Sequence, residues 1–200
     1  VVLGRNSAEL ASLTQRIAEL PTRLTVAPVD LADAHETVRT CREQLERGAI
    51  PDIVINNAGV IERAPVEALT LDSWERQLAV NLRAPYLITR EVLPIMRTRR
   101  QGRIIHIGSI SSTLGTARAS AYCASKWGIV GFMKSLAEEL RDTGVTTLAI
   151  LPGSVDTDML KGSGFPPRID ADDVARTIVH YALDASAAGH NGSVIEMFGV

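Results

Sequence analysis

Short runs of consecutive apolar residues recur along this chain, each followed by a stretch with helical spacing, and that alternation leaves few folds open. Ile53-Val54-Ile55 and Leu148-Ala149-Ile150-Leu151 have no polar face, so strands built from them are buried on both sides. Burial on both sides requires helices above and below, as in a parallel α/β sheet. Extended segments are predicted at 1–3, 24–29, 53–55, 103–108, 146–151 and 193–198. Helices are predicted at 8–20, 33–47 with Gly48 as the stop, about 72–98, 121–141 and 171–183. Within the third helical stretch, Asn81 marks a break and Pro85 suits the first turn of a new helix. Two hundred residues then make one domain, 1–200, in three α/β/α layers.

Composition narrows the function. A formal charge of −2 and an aromatic content of 4% offer no footing for nucleic acid. The basic run Arg97-Thr98-Arg99-Arg100-Gln101-Gly102-Arg103 reads as a solvated helix C-terminus facing the negative end of the dipole, in preference to a phosphate patch. Cys41 and Cys123 are too few for a disulfide framework and read as free thiols in a reducing compartment. His35, His106, His180 and His190 lack metal-ligand spacing, and no metal is expected; His106 reads as a satisfied core residue. No run of about 18 apolar residues is present for a membrane span and no signal peptide opens the chain, so a cytoplasmic location without a membrane partner is expected.

The chemistry is concentrated in a few segments. Tyr122 and Lys126 stand four apart on a predicted helix and so share a face. An ammonium beside a phenol favours the phenolate, which predicts a lowered Tyr122 pKa. Ser109 closes the strand that begins at Arg103, where its hydroxyl can donate to a developing oxyanion. Taken singly, each has a plainer reading: a turn serine, an amphipathic tyrosine and a solvated lysine. Asn81 interrupts helical sequence, Asn56-Asn57-Ala58-Gly59 follows a strand, and Pro152-Gly153-Ser154-Val155-Asp156-Thr157 follows another.

Together, in order and spacing, these segments resemble the short-chain dehydrogenase/reductase family over essentially the whole chain. The resemblance implies a Rossmann-type, doubly wound parallel sheet and a nicotinamide-dependent oxidoreductase acting on a small-molecule ketone or secondary alcohol, a 3-oxoacyl thioester among the candidates. It implies Tyr122 as acid/base, Ser109 as oxyanion donor, Lys126 as pKa modulator and ribose ligand, and Asn81 as holder of a relay water. Asn57, Ala58 and Gly59 would line the cofactor ribose, and Pro152, Gly153, Val155 and Thr157 would close over the nicotinamide. Asp30, with Leu31 beside it, matches an aspartate that contacts adenine; the plainer reading of Asp30 is a helix N-cap. Arg5, ending the first strand, attracts a 2′-phosphate where a carboxylate would repel it, which favours NADP, with NAD as the other option.

Three further expectations come with the resemblance. The chain begins where the family's second strand would sit, so a first βα unit of about 30 residues with its glycine-rich turn is expected to be missing, leaving a gap in the sheet. Gly128 and Gly131 weaken a helix interior, so a close helix contact is expected there, and the family pairs this face with a second subunit as a homodimer or homotetramer. Residues 158–168 fall where a mobile substrate lid is kept. Only about 40 residues follow Thr157, too few for the substrate domain of an extended-type epimerase or dehydratase. The rival from another class is a cofactor-sensing regulator on the same fold.

Overall fold

Strands and helices alternate through the computed structural model, which describes residues 1–5 and 7–199. The elements are β1 (Val2–Gly4), α1 (Ser7–Ile17), β2 (Val26–Pro28), α2 (Ala34–Glu46), β3 (Ile53–Asn56), α3 (Leu71–Leu78), α4 (Ala84–Arg99), β4 (Gly102–Ile107), α5 (Ser120–Glu139), β5 (Val145–Pro152), α6 (Ala171–Val179) and β6 (Val194–Met197). Every named strand pairing is parallel. The order β3-β4-β5-β6 forms one sheet, in a register that sets Ile55 beside Ile105 and Ile105 beside Leu148.

Adjacent residues on β4 show why two helical layers form. Ile104 packs with Cys41, Val92, Met96 and Leu136 from α2, α4 and α5. Ile105 points the other way and packs with Leu148, Ile150 and, from the α6 side, Ile178 and Tyr181. Both isoleucines are wholly inaccessible to solvent. A strand apolar on both faces thus acquires a helix on each, and the expected α/β/α layering is present.

The sheet is divided. Among the described residues β1 and β2 pair only with each other, and a cleft of about 940 Å³ opens between β1 and β3. Val2 and Leu3 line one wall and Ile53 and Ile55 the other. Ile55 is 45% exposed in the middle of a strand for this reason. The gap expected in the sheet is therefore observed. The β1–β2 pair is joined to the rest through an apolar cluster of Val29, Leu31 and Ala84 with Leu3 and Ile88 packed on it.

Several local expectations change. The helix is not broken at Asn81. It widens through a π-helical turn, Ala79–Arg83, and continues into α4 with Pro85 in the first turn. One extra residue in the turn redirects a side chain without ending the helix. Helix α2 is capped by Asp33, whose side chain accepts from the Glu36 N–H at 2.9 Å; Asp30 is not the cap. Gly48 ends the helical segment at φ +82°, as expected. A Cβ on Gly128 would lie 2.8 Å from Leu82 of the π turn, so a close contact exists there, whereas Gly131 faces open space. The basic run behaves as a helix terminus: Arg97 and Arg100 donate to the Glu139 and Asp142 carbonyls, and Arg99 pairs with Asp52 at 2.7 Å.

Candidate functional site

In a parallel sheet all strand ends of one sense lie along one edge, where ligands collect. Here that edge carries Asn56 to Gly59 after β3, Ser109 after β4, and Pro152 to Thr157 after β5. The Ser109 hydroxyl oxygen accepts from the Ser111 N–H at 3.1 Å, and the Ser109 N–H donates to the Ser112 hydroxyl at 3.2 Å. This capping box fixes the serine at the head of a short 3-10 turn, Ile110–Ser112. The Ser109 side chain lies close enough to Tyr122 to favour the ionised form of its phenol.

Helix α5 presents Tyr122 and Lys126 on its inner face, both buried. The Lys126 ammonium donates to the Ile107 carbonyl at 2.8 Å and lies 5.6 Å from the centre of the Tyr122 ring. Ser109, Tyr122 and Lys126 are thus brought together. The direction of the tyrosine shift differs from the sequence-based expectation. Burial raises the Tyr122 pKa, opposed by the neighbouring Ser109 side chain and by the charge of Arg63. Lys126 is itself dehydrated, its pKa pulled down to about 8 by burial. An ammonium that has lost water and is spent on a backbone carbonyl is a weak lever on a phenol that has also lost water.

Asn81 joins the group from the π turn. Its Oδ1 accepts from the Val60 N–H at 2.8 Å, and its Nδ2 donates to the Val60 carbonyl at 2.9 Å and to the Ser125 hydroxyl at 3.0 Å. The Ser125 hydroxyl in turn donates to the Tyr122 carbonyl at 2.7 Å. Asn81 is therefore a tie between the loop after β3 and α5. Gly59 sits inside the same group: a Cβ there would lie 3.6 Å from Asn81 Oδ1 and 3.8 Å from Lys126 Nζ. Behind it, His106 is fully buried and bonded through Nδ1 to Asn56 Nδ2 at 3.3 Å, while its Nε2 has no partner. The expected satisfied core histidine is only half satisfied. Burial, with the Lys126 charge adding to it, lowers its pKa to about 4, so the ring is neutral.

The remaining candidate residues fall on both sides of the cleft. Asn57 and Ala58 are exposed at the end of β3. The Gly153 N–H donates to the Met197 carbonyl at 2.8 Å, Val155 forms a bridge to Ile169, and Thr157 is exposed. Across the cleft, Arg5 is exposed at the end of β1, Leu31 is buried, and Asp30 pairs with Arg76 of α3 at 3.5 Å. Asp30 also accepts from the Ala32 N–H at 3.1 Å, a turn in place of a cap. The donor set fits a dinucleotide: an ammonium has three N–H donors, and Lys126 is shown giving one to protein. A side chain at Gly59 would fill the space beside it. No helix among the described residues is long and apolar enough to cross a membrane, and none of their His, Cys, Asp and Glu side chains form a group suited to a metal ion.

Sequence reasoning missed three residues of this site. Ser125 had a signal, since it lies three positions after Tyr122 on the same helical face. Arg63, whose Nη1 donates to the Met159 carbonyl at 3.4 Å, lies in an irregular segment with no periodicity to read, and Met159 lies in a 3-10 turn, Asp158–Leu160, within the stretch expected to hold the lid.

A family model described as short chain dehydrogenase matches residues 1–164. The chain is 36% identical over 166 residues to short chain dehydrogenase adrF of Penicillium rubens, covering 82% of this chain and 63% of that protein. It is 35% identical over 162 residues to the 3-oxoacyl-[acyl-carrier-protein] reductase FabG of Vibrio harveyi, covering 80% and 65%. The chain thus spans somewhat less than two thirds of the length of these relatives. Among solved structures, a protein from Agrobacterium tumefaciens assigned as a gluconate dehydrogenase superposes with a TM-score of 0.88 at 28% identity, covering 98% of this chain and 83% of that one.

Proposed function

Because the chain belongs to the short-chain dehydrogenase family, we propose that it is an NAD(P)-dependent oxidoreductase interconverting a ketone and a secondary alcohol. One observation carries this reading: the Ser109 hydroxyl, the Tyr122 phenol and the buried Lys126 ammonium meet at the end of β4. Bound beside them, the nicotinamide supplies or accepts the hydride. Tyr122 gives its proton to the carbonyl oxygen in reduction and takes one from the alcohol in oxidation. Ser109 donates to the same oxygen as charge develops on it. The burial that raises the Tyr122 pKa keeps the phenol protonated and ready to donate.

The other side chains hold and orient. Lys126 turns its remaining donors to ribose hydroxyls, with Asn57, Ala58 and Gly59 along the ribose and Asn81 extending the proton path. Pro152, Gly153, Val155 and Thr157 border the nicotinamide, and Asp30 and Leu31 the adenine. Arg5 attracts a 2′-phosphate, which makes NADP the preferred cofactor. The similarity to 3-oxoacyl-[acyl-carrier-protein] reductase supports a 3-oxoacyl thioester as one substrate class, and the gluconate dehydrogenase likeness supports a sugar acid as another. Assembly as a homodimer or homotetramer belongs to the same reading, since Trp127 on α5 is 54% exposed and Gly131 beside it is open.

The test is cofactor oxidation with NADPH and NADH across a panel of ketones, thioesters and keto acids. NADPH-dependent turnover of at least one class is expected, with Arg5→Asp shifting preference toward NADH. Binding of either cofactor with no turnover of any carbonyl would overturn the proposal.

A further inference from the structure

The loop after β5 is tied firmly at its neck and loosely at its tip. At the neck, the Asp156 N–H donates to the Ile169 carbonyl at 2.9 Å and the Arg168 N–H to the Ser154 carbonyl at 2.9 Å. Within the tip, residues 157–167, the bonds are local. The Leu160 N–H donates to the Thr157 carbonyl at 3.0 Å, the Ser163 N–H to the Leu160 carbonyl at 3.0 Å, and Lys161 pairs with Asp158 at 2.5 Å. Among the described residues, one hydrogen bond joins this tip to the rest of the molecule, the 3.4 Å contact from Arg63 Nη1 to the Met159 carbonyl.

Met159 nevertheless reaches into the site. A Cβ on Gly59 would meet Asn81 Oδ1 at 3.6 Å, Met159 Cε at 3.7 Å and Lys126 Nζ at 3.8 Å, so all three atoms border the same small space. The space is mismatched to the methyl group in it. Lys126 is 4% exposed and is shown giving one of its three N–H donors to protein, at the Ile107 carbonyl. A thioether methyl accepts none of the others. Met159 itself stays 39% exposed, so the contact removes little apolar surface from water. A weakly held apolar group therefore stands where hydroxyl groups would pair with the ammonium.

Resting on the reading that Lys126 and Gly59 hold the cofactor ribose, we propose that Met159 is a self-blocking plug. In the free protein its thioether closes the space beside Gly59, and the cofactor enters when the loop tip swings out about its neck. The tip moves as one piece because its bonds are internal. Opening gives up the long Arg63 contact and a half-exposed methyl contact, and hydroxyls paired with Lys126 then keep the plug out. Cofactor affinity is lowered by the fraction of molecules in which the plug is seated.

NMR of the protein labelled at its methionine methyl groups tests this, since the sequence holds four methionines and Met159→Leu identifies the signal of Met159. The free protein should show a nuclear Overhauser contact between the Met159 methyl and the Gly59 α-protons, and NADPH should abolish it. In fluorescence titrations and stopped-flow mixing, Met159→Ala should bind NADPH about 10-fold more tightly than wild type, with faster association. Met159→Leu keeps a plug of similar size and should bind within about twofold of wild type. A methyl contact that persists with NADPH bound, or a Met159→Ala affinity no higher than wild type, would overturn the plug and leave the redox reading in place. Failure of both wild type and Met159→Ala to bind NADPH would overturn the redox reading, and the plug with it.

Discussion

The four-stranded sheet and the two-stranded pair hold opposite ends of one candidate site by different means. In the first, Ile104, Ile105, Ala149, Ile150 and Leu151 are wholly inaccessible, and helices cover both faces. In the second, Val2, Leu3 and Gly4 are all half-buried, and attachment to the body runs through a small apolar cluster with α4 instead of through strand hydrogen bonds. Ser109, Tyr122 and Lys126 rest on the rigid sheet; Arg5, Asp30 and Leu31 rest on the pair. Proton transfer tolerates little displacement, so its residues belong where packing is densest.

The largest expected contrast is in stability. Ile104→Ala should cost about 4 kcal/mol, because it empties space between β4 and three helices, whereas Val2→Ala should cost under about 1 kcal/mol. Urea unfolding of the two variants checks this; similar losses would erase the distinction between the sheets.

A second contrast is in pH response. His106, in β4, has a folded pKa of about 4 against an ordinary 6.5. As pH falls below 6.5 the unfolded chain gains a proton that the folded one refuses until about pH 4, so stability drops across that window and is unaffected by His106 above it. The loss is on the order of 3 kcal/mol. The His106→Leu variant should lose less than wild type between those limits in urea titrations at stepped pH; parallel losses would contradict the assignment.

Glycine substitutions give the smallest contrast. A Cβ on Gly108 would lie 2.2 Å from Leu151 Cδ2, a side chain with no room to retreat, while one on Gly4 meets Leu10 at an ordinary 3.6 Å. Gly108→Ala should lower stability by about 2 kcal/mol and Gly4→Ala by no more than about 0.5 kcal/mol. Thermal unfolding of both, followed by circular dichroism, would sharpen the comparison.

The same contrast governs what could be read from residues alone. Runs such as Ile53-Val54-Ile55 announce buried parallel strands because their period is unambiguous, and the four-residue step from Tyr122 to Lys126 fixes a shared face. Asn81 is a poor helix former, so the π turn at Ala79–Arg83 read as a break. Asp30 read as a cap because it precedes the helix; the path of the chain puts Asp33 at the cap instead. The Tyr122 shift depends on burial by distant segments.

In the proposed reaction Tyr122, beside Ser109 and backed by Lys126, handles the proton of a carbonyl reduction. Tyr122→Phe tests it most directly, with NADPH binding and turnover of the best ketone measured on the same preparation. Turnover should fall by about a thousandfold while NADPH affinity stays within about threefold of wild type. Turnover within about tenfold of wild type would contradict the assignment, since a phenylalanine has no proton to give.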